Sequence, residues 1–119
     1  MDSDQLLLRT KKFALTTIKF FQNLPRTDEA RILGKQILRS GTSMAANYRA
    51  ACRSRSKQEF YAKICIVVEE SDETLFWFEL LSDAGIVNPE ESDSFQKEAQ
   101  ELLFIFSATK RSTKQNLNQ

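Results

Sequence analysis

Residues 28–53 decide the fold of this chain, and they read DEARILGKQILRSGTSMAANYRAACR. Successive residues of an α-helix are rotated by about 100°, and on that rotation the small and apolar residues of this stretch form a single stripe. They recur at spacings of 3, 4, 4, 3, 4 and 3, at Ala30, Leu33, Ile37, Gly41, Met44, Tyr48 and Ala51. This spacing is typical of a helix in a bundle. Thr27 or Asp28 can cap its first turn, and Gly41 leaves room for a close neighbour.

Three further segments have helical periodicity. Residues 4–23, capped by Ser3 or Asp4, predict a first helix, residues 57–84 predict a third that ends at Gly85, and a fourth begins at Pro89 after the capping residue Asn88. Short polar or proline-containing connections separate the four helices. Residues 1–111 are therefore predicted to form an all-α, antiparallel up-down-up-down four-helix bundle. The polar residues 112–119 are predicted to be a disordered tail.

The composition of the 119 residues excludes several classes of function. With no His, the chain has no Ser-His or Cys-His nucleophile pair and no imidazole ligand for zinc or haem iron. We therefore expect a protein that is not an enzyme and that has no cofactor. The N-terminus is acidic and the longest apolar run in the body, Ile64–Val68, is five residues long, so we expect a cytoplasmic protein without a membrane span.

Charge is distributed unevenly along the chain. Residues 1–63 carry a net charge of +8, residues 64–109 carry −10 and residues 110–119 carry +3. On the helical wheel of residues 28–53 the basic side chains form a stripe opposite the apolar one. Its members are Arg31, Lys35, Arg39, Arg49 and Arg53. Three interpretations remain open for this basic stripe: a solvated face, a contact with an acidic surface of another subunit, or a contact with the backbone of RNA or DNA.

The third predicted helix has more apolar surface than one core stripe needs. Outside the stripe lie Ile66, Phe76, Trp77 and Leu80. A monomeric bundle could cover part of this second face with its fourth helix or its loops. A contiguous aromatic and aliphatic patch is more often a subunit contact, so the sequence favours a homo-oligomer whose interface includes these four residues.

The strongest metal-binding candidate is a set of four carboxylates. Glu70 and Glu73, and likewise Glu98 and Glu101, are spaced three residues apart and so share a helix face. Bundles that hold two metal ions also use a histidine on each of two helices, which this chain cannot supply. A carboxylate-only metal-binding bundle is thus the alternative hypothesis, against a solvated acidic face or polar contacts between helices.

Three stretches resemble a known family. They are residues 39–51 (RSGTSMAANYRAA), residues 60–63 (FYAK) and residues 69–81 (EESDETLFWFELL). The chain resembles the 23S rRNA-intervening sequence proteins over nearly its whole length, with a signature of polar residues between helices and one aromatic residue at Ser43, Asn47, Glu70, Glu73, Thr74 and Trp77. On their helical wheels Asn47 and Glu73 lie beside the apolar stripes, and we predict that they link the second and third helices.

The resemblance implies a four-helix bundle that assembles into a ring of five subunits. It also implies a relation in fold to the accessory proteins of diversity-generating retroelements, which act with a reverse transcriptase and nucleic acid. Many relatives have an acidic residue and Gly shortly after the Asn, whereas Tyr48–Ala51 here continue the helix. We expect a non-enzymatic interaction or nucleic-acid-associated module.

Overall fold

The structure is a computed structural model that describes residues 1–118, except for the side chain of Glu91. It contains four helices and, over these residues, no strand. The helices are α1 (Ser3–Gln22), α2 (Asp28–Cys52), α3 (Lys57–Asp83) and α4 (Pro89–Leu117). The all-α, four-helix prediction is confirmed.

The last helix is longer than the sequence suggested. α4 continues through Leu117, so the prediction of a disordered tail is wrong for residues 112–117, and residue 119 lies outside the described residues. This segment has no apolar stripe, but Lys and Gln, which it contains, have high helix propensity. Along this extension the Thr113 hydroxyl donates to the Thr109 carbonyl at 2.7 Å.

Local capping sets the first residue of each helix. Thr27 accepts from the backbone N–H of Ala30, and Asn88 accepts from that of Glu90 with Pro89 in the first turn, as predicted. α1 is capped by Asp2, in a reciprocal pair with Gln5, rather than by Ser3 or Asp4. A side chain that accepts from these free N–H groups typically contributes about 1 kcal/mol. After α3, Gly85 adopts a φ of +73°, which glycine tolerates without steric strain.

The core lies along the predicted stripes. Ile37, Met44, Ile64, Val67 and Phe78 are fully buried, as are Leu102 and Phe106 of α4. α2 packs between α1 and α3, and α4 packs beside α3. Phe95 of α4 reaches α1 through ring stacking with Phe13 and Phe20 at centroid distances of 5.1 and 4.8 Å. The bundle measures 50 × 23 × 21 Å.

Two glycines of α2 bring that helix against α1. Gly41 faces Thr17, whereas Gly34 faces Phe21 and Leu24. Residue numbers rise along α1 as they fall along α2, so the two helices are antiparallel. A Cβ atom on Gly41 would lie 2.6 Å from the Cγ2 methyl of Thr17, closer than two carbon atoms can pack. Gly41 therefore fixes the separation of α1 and α2 at this level.

Gly41→Ala is expected to lower the free energy of unfolding by about 1 to 2 kcal/mol. Overpacking typically costs about 1 to 3 kcal/mol, which outweighs a gain in helix propensity of about 1 kcal/mol. Thr17→Ser removes the clashing methyl and leaves the nearest Thr17 atoms 3.3 and 3.4 Å from the new Cβ. Urea unfolding of both single variants and the double variant should show that Thr17→Ser relieves the effect of Gly41→Ala. An alanine variant as stable as wild type would contradict this.

No helix among residues 1–118 combines the length and the apolar character that crossing a membrane requires.

Candidate interaction surfaces

An arginine joins α2 to α3 on the outer side of the bundle. The guanidinium of Arg39 binds two carboxylates of α3: Nη1 lies 3.2 Å from Oε2 of Glu70, and Nη2 donates to Oε1 of Glu73. Its Nε donates to Gln36 Oε1 on its own helix at 3.1 Å. Glu70 and Glu73 can share one guanidinium because residues three apart lie on the same helix face. Hydrogen bonds between charged groups are roughly twice as strong as neutral ones.

Two further contacts extend this polar cluster. The indole Nε1 of Trp77 donates to Oε1 of Glu73 at 3.1 Å. Deeper in the bundle the hydroxyl oxygens of Thr74 and Ser40 are 2.7 Å apart. Since each hydroxyl has a single hydrogen, one donates across the helix interface and the other donates to a carbonyl of its own helix, at Gln36 or Glu70.

The structure separates the six signature residues into two groups. Glu70, Glu73, Thr74 and Trp77 all belong to the α2–α3 cluster. Asn47, by contrast, donates its amide to the carbonyl and hydroxyl oxygens of Ser43, both on α2. The prediction that Glu73 links the two helices is met, but the prediction that Asn47 does so is wrong, because the amide is turned along its own helix.

Thr74→Val is expected to lower the free energy of unfolding by about 1 to 2 kcal/mol, because it leaves the buried Ser40 hydroxyl without its partner across the interface. Asn47→Ala should change it by less than about 0.5 kcal/mol, since alanine's higher helix propensity offsets the hydrogen bonds lost within α2. Thermal melts of the two variants side by side test this. A larger effect at Asn47 than at Thr74 would contradict the assignment.

The basic stripe is divided by the Arg39 contacts. Arg39 is neutralised within its own subunit by Glu70 and Glu73. The other four side chains are exposed and form no ion pair with another of the described residues; they are Arg31, Lys35, Arg49 and Arg53. The helical wheel of α2 grouped Arg39 with these cations. The contact of the Arg39 side chain with α3 depends on how the two helices pack, which a wheel of one helix does not show.

The second carboxylate pair also belongs to an arginine. Arg9 of α1 holds Glu98 of α4 through Nε at 2.8 Å and Nη2 at 2.6 Å, and Glu101 lies 3.1 Å from Nη2. Hydrogen bonding to Glu98 is the main cause that raises the pKa of Arg9 above its usual value. This contact links α1 to α4, the two helices at the ends of the chain.

The carboxylate-only metal hypothesis is not supported. Glu70 and Glu73 share Arg39, whereas Glu98 and Glu101 share Arg9, so the two pairs belong to different clusters. Among the described residues no group of three or more carboxylate or cysteine side chains has the geometry of a metal site. The i, i+3 spacing that suggested metal ligands serves arginine recognition between helices.

The second apolar face of α3 is only partly covered within the subunit. Phe76 is 50% exposed and Ile66 is 37% exposed, whereas Trp77 and Leu80 are partly buried. The rings of Phe76 and Trp77 meet edge to face, with centroids 5.2 Å apart. We call Ile66, Phe76, Trp77 and Leu80 the α3 face. Trp77 packs against the core, so the described part of the subunit covers some of this face and leaves Ile66 and Phe76 exposed.

The fold and its surfaces define a class of protein. The chain is an all-α four-helix bundle in which a carboxylate–arginine cluster joins α2 to α3, with a partly exposed apolar face beside it. The sequence model of the 23S rRNA-intervening sequence proteins matches residues 5–108, and the chain belongs to this family.

Among solved structures, the chain is similar to a crystal structure of a protein with unknown function from the S23 ribosomal protein family of Bacteroides thetaiotaomicron. The two chains are 28% identical and superpose with a TM-score of 0.85, over 93% of this chain and 99% of the other. A search of curated proteins gave no match.

Proposed function

We propose that this chain is a non-enzymatic assembly protein whose copies join through the α3 face into a closed homo-oligomeric ring, and that the ring serves as an interaction module with RNA or DNA among its partners. The observation that carries the proposal is the exposure of half of Phe76 beside Trp77. Contiguous apolar patches on small proteins commonly mark interaction sites. Burial of such a patch stabilises an assembly by roughly 25 cal/mol per Å².

The distribution of charge favours a ring over a two-fold dimer. Residues 1–63, which contain α1, α2 and the first turns of α3, carry +8, and residues 64–109, which contain the rest of α3 and most of α4, carry −10. A two-fold contact across the α3 face would set one acidic side against another. A head-to-tail contact sets acidic against basic, and such contacts close into rings when the rotation between subunits allows. The family resemblance, which implies five subunits, supports the same arrangement.

The proposal of a non-enzymatic role is supported by the side chains that are available. The chain has no His, and the carboxylate pairs Glu70/Glu73 and Glu98/Glu101 bind Arg39 and Arg9. Carboxylate oxygens that accept hydrogen bonds from a guanidinium group are less available to contact a substrate or a metal ion.

Nucleic acid, in this proposal, contacts the free cations of the basic stripe. Arg31 and Lys35 are exposed and i, i+4 on α2, so they present two charges on one face. The name of the family, which refers to intervening sequences of 23S rRNA, makes structured RNA the first probe. Arg31→Glu with Lys35→Glu should reduce retention of RNA at low salt without changing subunit number. Retention equal to wild type would remove nucleic acid from the proposal.

Leu80→Lys tests the assembly directly. A lysine in the α3 face would have to be desolvated on association, so light scattering should give the mass of one chain while far-UV circular dichroism stays helical. Phe104→Lys is the matched control, because Phe104 is an exposed aromatic residue of α4 that is not part of the α3 face, and it should not alter the mass. A wild-type protein that is monomeric at micromolar concentration would contradict the proposal.

A further inference from the structure

A groove on the other side of α2 combines apolar and small side chains with several cations. It lies between α1 and α2 and encloses about 590 Å³. Apolar or small side chains and cations line it. They include Leu8, Ala45 and Ala46, and the cations Lys11, Arg49 and Arg53. We call these six residues the α1–α2 groove. The small side chains of Ala45 and Ala46 leave the space that an aromatic ring can enter.

α1 has a second, mostly apolar stripe, of which Leu8 and Lys11 also line the groove. Leu8 is 72% exposed, and Leu15 and Ile18 are also exposed, while the core side chains of α1 lie on the opposite face. Leu8, Lys11, Leu15 and Ile18 are spaced by 3, 4 and 3 residues, which is the spacing of a helix that packs against another helix. The apolar side chains of this stripe are exposed among the described residues, so the stripe is available for a contact with a separate helix.

The α3 face and the groove are complementary in charge. Glu69 and Asp83 lie seven residues to either side of Phe76, so the three form one line along the exposed side of α3. Neither acid forms an ion pair with another of the described residues. The groove presents three exposed and equally unpaired cations, Lys11, Arg49 and Arg53, against one acid, Asp4, and its lining is basic on balance. Acids flank an apolar ridge on one surface, and cations flank an apolar cleft on the other.

The α1 stripe is shorter than the α3 face. From Leu8 to Ile18 the α1 stripe spans about 15 Å, and from Ile66 to Leu80 the α3 face spans about 21 Å, at about 1.5 Å per residue. The surfaces lie on neighbouring sides of the bundle, because α2 packs against both α1 and α3. Two contacts on neighbouring sides turn each successive subunit in the same sense, which is what a closed ring needs.

We infer that the α1–α2 groove is the acceptor for the α3 face of a second copy of this chain, with Phe76 entering above Ala45 and Ala46 and with Arg49 and Arg53 against the acids of α3. The inference rests on the proposed assembly through the α3 face and names the surface that receives it. Each subunit then offers one face and one groove. Arg31 and Lys35, nearer the start of α2, remain outside the contact and available to nucleic acid.

Mixing two defective variants tests the inference. Phe76→Asp damages the face and leaves the groove, whereas Leu8→Asp damages the groove and leaves the face. Each variant alone should have the mass of one chain in light scattering. An equimolar mixture should form pairs with the mass of two chains, because the intact face of one variant fits the intact groove of the other, and it should form nothing larger. Phe104→Asp is the matched control and should assemble like wild type.

The other outcomes are distinguishable. If wild type and Leu8→Asp assemble equally while Phe76→Asp does not, the α3 face pairs with a surface other than the groove, and the inference is wrong although the proposed assembly stands. If wild type is monomeric, both fail. If Arg49→Glu with Arg53→Glu leaves the oligomer intact and abolishes retention of RNA at low salt, the groove is a phosphate-binding surface instead.

Discussion

Phe106→Ala is expected to lower the free energy of unfolding by about 3 to 5 kcal/mol, the range for removal of a fully buried phenylalanine ring. Phe106 has no exposed surface, and its ring lies 5.1 Å from that of Tyr48 between centroids. The variant therefore loses the burial of the ring and its contact with an aromatic partner. It also leaves a cavity in the core of the bundle. Chemical unfolding followed by circular dichroism measures the loss.

Phe104→Ala is the control for Phe106→Ala. It makes the same substitution two residues earlier on the same helix, where the ring is 71% exposed. The helix propensity changes by the same amount in both variants, so the difference between them isolates burial. Phe104→Ala should change the free energy of unfolding by less than about 0.5 kcal/mol. Equal effects at the two positions would mean that α4 is rotated about its axis relative to the arrangement described here.

Arg39→Glu should be the most damaging single change in the polar cluster, lowering the free energy of unfolding by about 2 to 3 kcal/mol. Hydrogen bonds to charged groups contribute roughly 1.5 to 3 kcal/mol, and the substitution replaces those to Glu70 and Glu73 with repulsion among three carboxylates. The Glu70 side chain is only 16% exposed, so water screens it poorly. The partial exposure of Arg39, at 48%, keeps the expected effect below that of Phe106→Ala.

The control and the readout for Arg39→Glu come from the same region. Lys35→Glu reverses a charge one helical turn away on an exposed side chain, and it should have little effect on stability. Trp77 is the single tryptophan, and its indole donates to Glu73, so its fluorescence emission should shift in Arg39→Glu and not in Lys35→Glu. The double variant Arg39→Glu with Glu73→Arg should recover part of the stability. A shift of equal size in both single variants would contradict a specific role for Arg39.

Much of the fold could be predicted because helices follow from local patterns. The apolar stripes at Ile37, Met44, Val67 and Phe78 repeat with the period of a helix, and that period is a property of consecutive residues. The breaks at Pro25 and Asn88–Pro89 are likewise local, since proline lacks the N–H that a helix interior needs. The error at the end of α4 has a related cause: a polar segment without a stripe gives no packing signal, yet its residues favour helix.

The candidate surfaces were only partly predictable. The exposure of Phe76 followed from its position on the wheel of α3, away from the core stripe. Arg39 was grouped with the exposed cations because a wheel of α2 alone contains no information about α3. Asn47 was assigned to the helix interface for the same reason, although its amide turns along α2 to Ser43. The i, i+3 spacing of the paired acids indicated that each pair binds a cation. It did not indicate that the cation is an arginine of another helix.

The sequence by itself therefore determined the helices, the stripes that they bury and the residues that cannot be buried, because each depends on neighbours within a few residues along the chain. Only the tertiary structure decided that Arg39 and Arg9 hold the two carboxylate pairs and that a groove opens between α1 and α2. Those features depend on the rotation and spacing of whole helices. Close contacts set that spacing, such as that of Gly41 with Thr17, and a contact between residues far apart in sequence exists only once the entire core has packed.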